Sequence, residues 1–182
     1  MNPAAVTTFL SVLTVAGLVG AVFLALIYLL PKNSKKTGKK LVPLKQWLSQ
    51  YAFHLALIVS LTATMGSLYF SEIAGYEPCK LCWYQRILMY PQVLLLGLSL
   101  IMKDKNIGRY LLMLSLIGLP VAVYHYYLQW GGNPLVPCST VGISVDCSDR
   151  FVMQFGFVSI PFMSFTSFLL IALLMLFPKK SR

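Results

Sequence analysis

"FLSVLTVAGLVGAVFLALIYLL", residues 9 to 30, contains no charged side chain and no polar stripe at helical spacing. A helix built from it is apolar all the way round and has no face to turn toward water. The rest of the chain settles whether a soluble core or a membrane receives it. Of 182 residues, 58% are hydrophobic and only 11% charged, too apolar a balance for a soluble domain that must cover itself with polar groups. Crossing a hydrocarbon layer of roughly 30 Å takes about 20 apolar residues in a helix. Five stretches approach that length: Thr8 to Leu30, Ala52 to Ser71, Trp83 to Met102, Tyr110 to Gln129 and Phe155 to Phe177. Arg86 and His125 fall near the ends of their stretches, where long or amphipathic side chains reach the interface. The expectation is an all-α, multi-pass membrane protein.

The net charge of +10 raises nucleic acid as a partner, and the distribution of that charge argues against it. Lys32, Lys35, Lys36, Lys39, Lys40 and Lys45 follow the first stretch with no acid among them. Lys103, Lys105 and Arg109 separate the third and fourth stretches, and Lys179, Lys180 and Arg182 follow the fifth. If the stretches alternate across the membrane, these groups share one side. The connections from Glu72 to Cys82 and from Trp130 to Gln154 are poor in basic residues and fall on the other side. The positive-inside rule then predicts a membrane protein with its N-terminus outside and its C-terminus inside. Basicity reads as topology and contact with anionic lipid. The leader "MNPAAVTT" lacks the positive region of a signal peptide, so the first stretch is expected to remain as a helix.

The four cysteines are Cys79 and Cys82 in the first outer connection, Cys138 and Cys147 in the second. An outer location permits disulfides. One reading is two static disulfides that hold the outer loops. A second is a tetrahedral zinc site from the two pairs, which the wide spacing of Cys138 and Cys147 disfavours, so that no metal is expected. The third is redox chemistry. A C-x-x-C pair at a helix start has its thiol pKa lowered by the positive end of the helix dipole, and Pro78 ahead of Cys79 suits a helix beginning there. Arg86, four residues after Cys82, falls on the same helical face, which would hold Cys82 partly as thiolate. The second pair lies in "GGNPLVPCSTVGISVDCSDR", rich in turn-forming residues and without helical period, and reads as a mobile surface loop.

"CKLCWYQRILMYP" (Cys79 to Pro91), "HYYLQ" (His125 to Gln129) and "FGFVSIPF" (Phe155 to Phe162) resemble the bacterial disulfide bond formation protein B (DsbB) family. The spacing of the second cysteine pair is more similar to its BdbC-like branch. The resemblance implies a four-helix transmembrane bundle that reoxidises a soluble extracytoplasmic thioredoxin-like thiol oxidase and passes the electrons to a membrane quinone, menaquinone or ubiquinone. Carried over by position, Cys138 and Cys147 would oxidise the partner, with Cys138 the site of the mixed disulfide. Electrons would pass to Cys79 and Cys82, and Cys82 with Arg86 would meet the quinone. His125 corresponds to the family's histidine near the quinone, and Trp83 and Tyr84 would wall that site, although all three also suit a purely interfacial role.

The family pattern begins near residue 49. Residues 1–48 are therefore expected to add an extra N-terminal transmembrane helix and a Lys-rich cytoplasmic linker to a DsbB-like domain of residues 49–182. Ala16, Gly17, Gly20 and Ala21 would allow that helix a close neighbour, or could equally face lipid. The reading from another class is a non-enzymatic membrane protein whose outer loops carry structural disulfides.

Overall fold

The computed structural model describes residues 3–29, 37–134 and 146–177, with side chains from residue 42 onward in the second segment. Cys138, Lys32, Lys35, Lys36, Lys179, Lys180 and Arg182 lie outside the described residues. The described residues form five α-helices: α1 Pro3–Leu29, α2 Thr37–Leu68, α3 Lys80–Met102, α4 Ile107–Gln129 and α5 Ile160–Met175. Four of them are long and apolar enough to cross a membrane, and α5, with 16 residues, is a shorter apolar helix.

Two boundaries differ from expectation. The lysine-rich linker is partly helical, since α2 begins at Thr37 and carries Pro43 inside it. At its other end α2 passes into a π turn over Tyr69–Ile73. The fifth span was expected from Phe155, but the helix begins at Ile160, with Pro161 in its first turn. Upstream, Phe155 and Gly156 take positive φ angles of 54° and 78°, which no helix tolerates. The chain turns back there, and Gln154 and Val158 exchange two backbone hydrogen bonds of 2.9 Å.

Helices α2 to α5 form a closed ring of neighbours, α2 on α3, α3 on α4, α4 on α5 and α5 on α2, while α1 leans chiefly on α5. The architecture is an all-α membrane fold, a four-helix bundle with one added N-terminal helix. Its outer surface is apolar, as lipid requires: Leu29, Ile58, Met65, Leu94 and Ile101 are all well exposed. Toward the ends of α1 and α5 that lie near the lysine-rich segment, Leu24 and Ile27 of α1 pack with Leu48, Ala52 and Phe53 of α2 and Ile171, Leu174 and Met175 of α5. This half is filled.

Since lipid tails are as apolar as leucine, helix pairing in a membrane depends on close fit and on internal hydrogen bonds. Both occur between α4 and its neighbours. Phe168 of α5 lies flat on the backbone of Gly118, where a Cβ would come within 2.6 Å of the ring. On the other side, fully buried Ser115 donates to Oε1 of fully buried Gln92 on α3 at 3.1 Å, and the Gln92 amide nitrogen returns to the Leu88 carbonyl at 3.0 Å.

Candidate functional site

Cys79 caps the start of α3. Its backbone is extended (φ −70°, ψ 173°), and its sulfur accepts the backbone N–H of Cys82 at 3.4 Å, the position that a serine or aspartate oxygen fills in other helices. The first turn of α3 then brings the Cys82 sulfur to 3.3 Å from that of Cys79. Both are free thiols. The chemistry expected from a C-x-x-C at a helix start is thus built by the cap itself.

The Cys79 sulfur also faces Nε2 of His125, 3.6 Å away on α4. On the far side of the ring, the Gln85 amide nitrogen lies 2.9 Å from Nδ1. An amide N–H donating to Nδ1 leaves the ring proton on Nε2, aimed at the sulfur. Sulfur, histidine and glutamine are all buried. The Cys79 thiol pKa is lowered to about 4: the hydrogen bond from Cys82 does most, burial opposes it, and the hydrogen bond and electrostatic attraction of His125 add to it. The sequence put the thiolate on Cys82, beside Arg86. The donors converge instead on Cys79.

Cys82 has a different outlook. It lines a cavity of about 370 Å³ between α1, α2, α3 and α5, together with Gln85, Arg86 and Tyr90, whereas neither Cys79 nor His125 lines it. Arg86 is held there by α2: its Nε donates to Ser67 Oγ and its guanidinium NH2 to the Ser67 carbonyl, each at 3.1 Å. The Tyr90 hydroxyl also reaches Ser67 Oγ, at 3.2 Å. Ser67 lies just before the π turn, a distortion that recurs at functional sites because it changes where carbonyls point. Trp83 lies under the guanidinium, 5.3 Å from ring centroid to carbon. Trp83 and Tyr84 are exposed on the outside of the bundle and do not line the cavity.

Cys147 is disulfide-bonded and only 1% exposed. It packs in one apolar cluster with Cys79, Leu81 and Leu128, against which Cys82, Val121 and Tyr124 also lie. Its segment was expected to be a mobile loop. Around Cys147 it is tied down: Gln129 donates to the Asp149 carbonyl at 3.0 Å, Arg150 donates back to the Gln129 carbonyl, and the Arg150 guanidinium lies over Trp130. The structure therefore gathers Cys79, Cys82, Cys147 and His125 at one end of α3 and α4, with His125 bonded toward Cys79 and Arg86 held by Ser67 of α2 at the cavity.

Gln85 and Ser67 were not singled out in the sequence. Gln85 stands between two residues that were, in "WYQR", and its signal was only that a buried amide on a helix needs a partner. Ser67 had no signal, since its role depends on α2 meeting α3. The ligand atoms of Cys79, Cys82 and His125 lie within 4.8 Å of one another, a set of two sulfurs and an imidazole that suits zinc. Sulfurs that cycle through a disulfide cannot serve as its ligands at the same time.

A helical membrane bundle with a paired-thiol site at a helix start and a disulfide packed beside it defines a class, the membrane thiol–disulfide proteins. The family model described as disulfide bond formation protein DsbB matches residues 49–178, and the chain belongs to that family. A probable disulfide formation protein C of Halalkalibacterium halodurans is 47% identical over 115 residues, 63% of this chain and 82% of that protein. Disulfide bond formation protein C of Bacillus subtilis is 43% identical over 120 residues, covering 65% and 85% respectively. A probable disulfide formation protein of Oceanobacillus iheyensis is 43% identical over 130 residues, 70% of this chain and 90% of its own. No solved structure matches. Membership carries a role in disulfide formation and the thiol oxidoreductase chemistry that this requires. Helix α1 falls outside the matched residues.

Proposed function

We propose that the chain is a quinone-coupled thiol oxidoreductase of the bacterial cytoplasmic membrane that reoxidises a soluble, thioredoxin-like thiol oxidase on the outer face. The carrying observation is the division of labour within the C-x-x-C pair: Cys79 is a buried member of the cluster that holds the disulfide-bonded Cys147, and Cys82, packed against that cluster, is the one of the two that lines the cavity. The charge distribution supports the orientation, with the cysteines opposite the lysine-rich segments.

A disulfide formed by Cys138 and Cys147 would take two electrons from the partner's dithiol through a mixed disulfide at Cys138, leaving the partner oxidised. One of the two thiols released, as thiolate, attacks the Cys79 sulfur of a Cys79–Cys82 disulfide, breaking that bond and releasing Cys82 as thiolate toward the cavity. Collapse of the intermediate disulfide restores the outer pair and leaves Cys79 and Cys82 reduced. Cys79 is the natural target because it lies in the cluster with Cys147. In the collapse that follows, Cys79 is the sulfur that leaves, and its low pKa favours that step.

The cavity fits an isoprenoid quinone: its wall is mostly apolar side chains, α3 contributes Cys82, Gln85, Arg86 and Tyr90, and Ser67, Tyr76, Glu77 and Ser164 add polar groups from other elements. When bound, a quinone accepts two electrons and two protons as the pair returns to the disulfide. Arg86 would stabilise negative charge developing beside Cys82, with Ser67 holding its guanidinium in place. His125 would act from behind, keeping Cys79 reactive, and not as a quinone contact. The decisive experiment is anaerobic quinone reduction by the detergent-purified protein fed a reduced thioredoxin-like dithiol. Turnover is expected in the wild type and none in Cys82→Ser. Absence of turnover in the wild type, with its disulfides unreduced by that donor, would leave structural disulfides as the reading.

A further inference from the structure

Helix α1 lies outside the family match, yet it forms one wall of the cavity that Cys82 and Arg86 face. Leu10, Leu13, Thr14 and Gly17 line it, together with Ala16. The first four fall at spacings of three, four and seven, which is one face of a helix. Thr14 adds no free polar group to that wall, since its hydroxyl donates to the Leu10 carbonyl at 2.8 Å.

Close contacts on two sides hold this face in place. On α5, a Cβ at Gly17 would come within 3.0 Å of Leu170 and 3.3 Å of Thr166, so the absence of a side chain sets how near the helices approach. On α2, Leu10 fills the space over Gly66, where a Cβ would meet it at 3.2 Å. Helix α1 thus bridges α2 and α5 over the half of the bundle that holds the cavity. The opposite face of α1 looks outward, with Val12, Val19 and Phe23 exposed. The α5 wall of the cavity runs from Ile160 to Leu170, roughly 15 Å of helix, about half the thickness of a hydrocarbon layer. The polar groups of α3 are at the end where that helix starts, and apolar residues of α1, α2 and α5 line the rest of the wall.

We propose that α1 is part of the quinone site: its Leu10–Gly17 face contacts the isoprenoid tail, in place of the lipid that would meet that side of a bundle of α2 to α5 alone. The inference rests on the cavity being the quinone site. It gives the added helix a function, selection of the ligand by its tail, and it distinguishes this chain from relatives that match only the bundle. A head group without a tail would be held by the α3 residues alone.

The test uses the full-length protein and a quinone analogue carrying a photoreactive group on its isoprenoid tail. Illumination is expected to label α1 between Leu10 and Gly17, with labelling displaced by excess unmodified quinone. Leu13→Trp, which places bulk on the cavity face, is expected to raise the apparent Kd for the tailed quinone about tenfold relative to a tail-less quinone. Val19→Trp on the lipid-facing side should leave that ratio at the wild-type value. Labelling confined to α2, α3 and α5, with the same ratio in Leu13→Trp, would overturn the role of α1 while leaving the quinone site standing. Labelling of α1 by a photoreactive phospholipid that quinone does not displace would make the wall a lipid contact and equally overturn it. Failure of the wild type to bind or reduce any quinone would overturn the functional reading itself, and this inference with it.

Discussion

The two ends of the bundle are packed on different principles. Near the lysine-rich segment, α1, α2 and α5 fill their interface with Leu24, Ile27, Phe53, Ile171 and Leu174. Near the cysteines, the same three helices and α3 surround a cavity, and the side chains that face inward include Cys82, Gln85, Arg86 and Tyr90 of α3. A membrane bundle gains nothing from excluding water at its centre, so a cavity at one end costs packing contacts but no exposed apolar surface. The difference shows what the filled half does for the open one. It holds the helices together so that Cys82 and Arg86 can face a space which no side chain fills.

Removing the charge at the open end tests this contrast most strongly. Arg86→Met keeps the length of the side chain and loses its cation and its bonds to Ser67. We expect kcat/KM for quinone to fall about a hundredfold, the scale of losing one preorganised donor to a developing anion. Exchange between the two thiol pairs, followed by rapid quench, should change far less, because the Cys79 side of the pair looks away from Arg86. Equal losses in both half-reactions would mean that the two faces of the pair are not separate.

A smaller effect is expected at the buried face. His125→Phe removes the Nε2 contact with Cys79 and one of the causes that lower its pKa. The group is a thiol whose pKa in the folded protein is depressed, so the thiolate is present above about 4 and is lost as pH falls through that value. Alkylation of Cys79 in the reduced protein should therefore rise with pH around about 4 and then level off, and the His125→Phe variant should show the same rise at higher pH. Because a more stable thiolate favours the reduced pair, the variant should also be less oxidising. An unchanged profile would assign His125 a packing role only.

Local chemistry was legible in the sequence, and meetings between helices were not. The C-x-x-C pair at the start of α3 could be anticipated because a cap depends on residues adjacent in the chain, Pro78 through Cys82. The membrane class followed from the all-round apolarity of residues 9 to 30. Ser67 could not be anticipated, because α2 and α3 must pack before its carbonyl meets Arg86. His125 illustrates the same limit from the other direction: the residue was noticed, but the side of the cysteine pair it occupies follows from the rotation of α4. Helix α5 was placed too early because an apolar run does not reveal a turn within it, and Phe155 at positive φ is the kind of strained residue that period and propensity overlook. For α1, both a lipid-facing and a packed small-residue face were open. The structure uses both, burying Ala21 and seating Gly17 on α5 while Val19 faces outward.

The smallest effect probes what holds α3 to α4, between the two ends. Ser115 donates to Gln92 Oε1 where both are fully buried, and no lipid headgroup or water reaches them. Desolvation alone would make this bond expensive to lose. In a membrane, however, the separated helices also find partners for their polar groups, and measured contributions average about 0.6 kcal/mol. Ser115→Ala should therefore lower stability by about that amount in reversible denaturation in mixed micelles, while Gln92→Leu, which removes the unpaired acceptor as well, should cost no more. A loss of several kcal/mol in Ser115→Ala would mean that the pair, and not apolar fit such as Phe168 on Gly118, sets the spacing of α4. In that case the position of His125 behind Cys79 would depend on a hydrogen bond on a different helix face, and the pH profile of Cys79 alkylation would shift in Ser115→Ala as it does in His125→Phe.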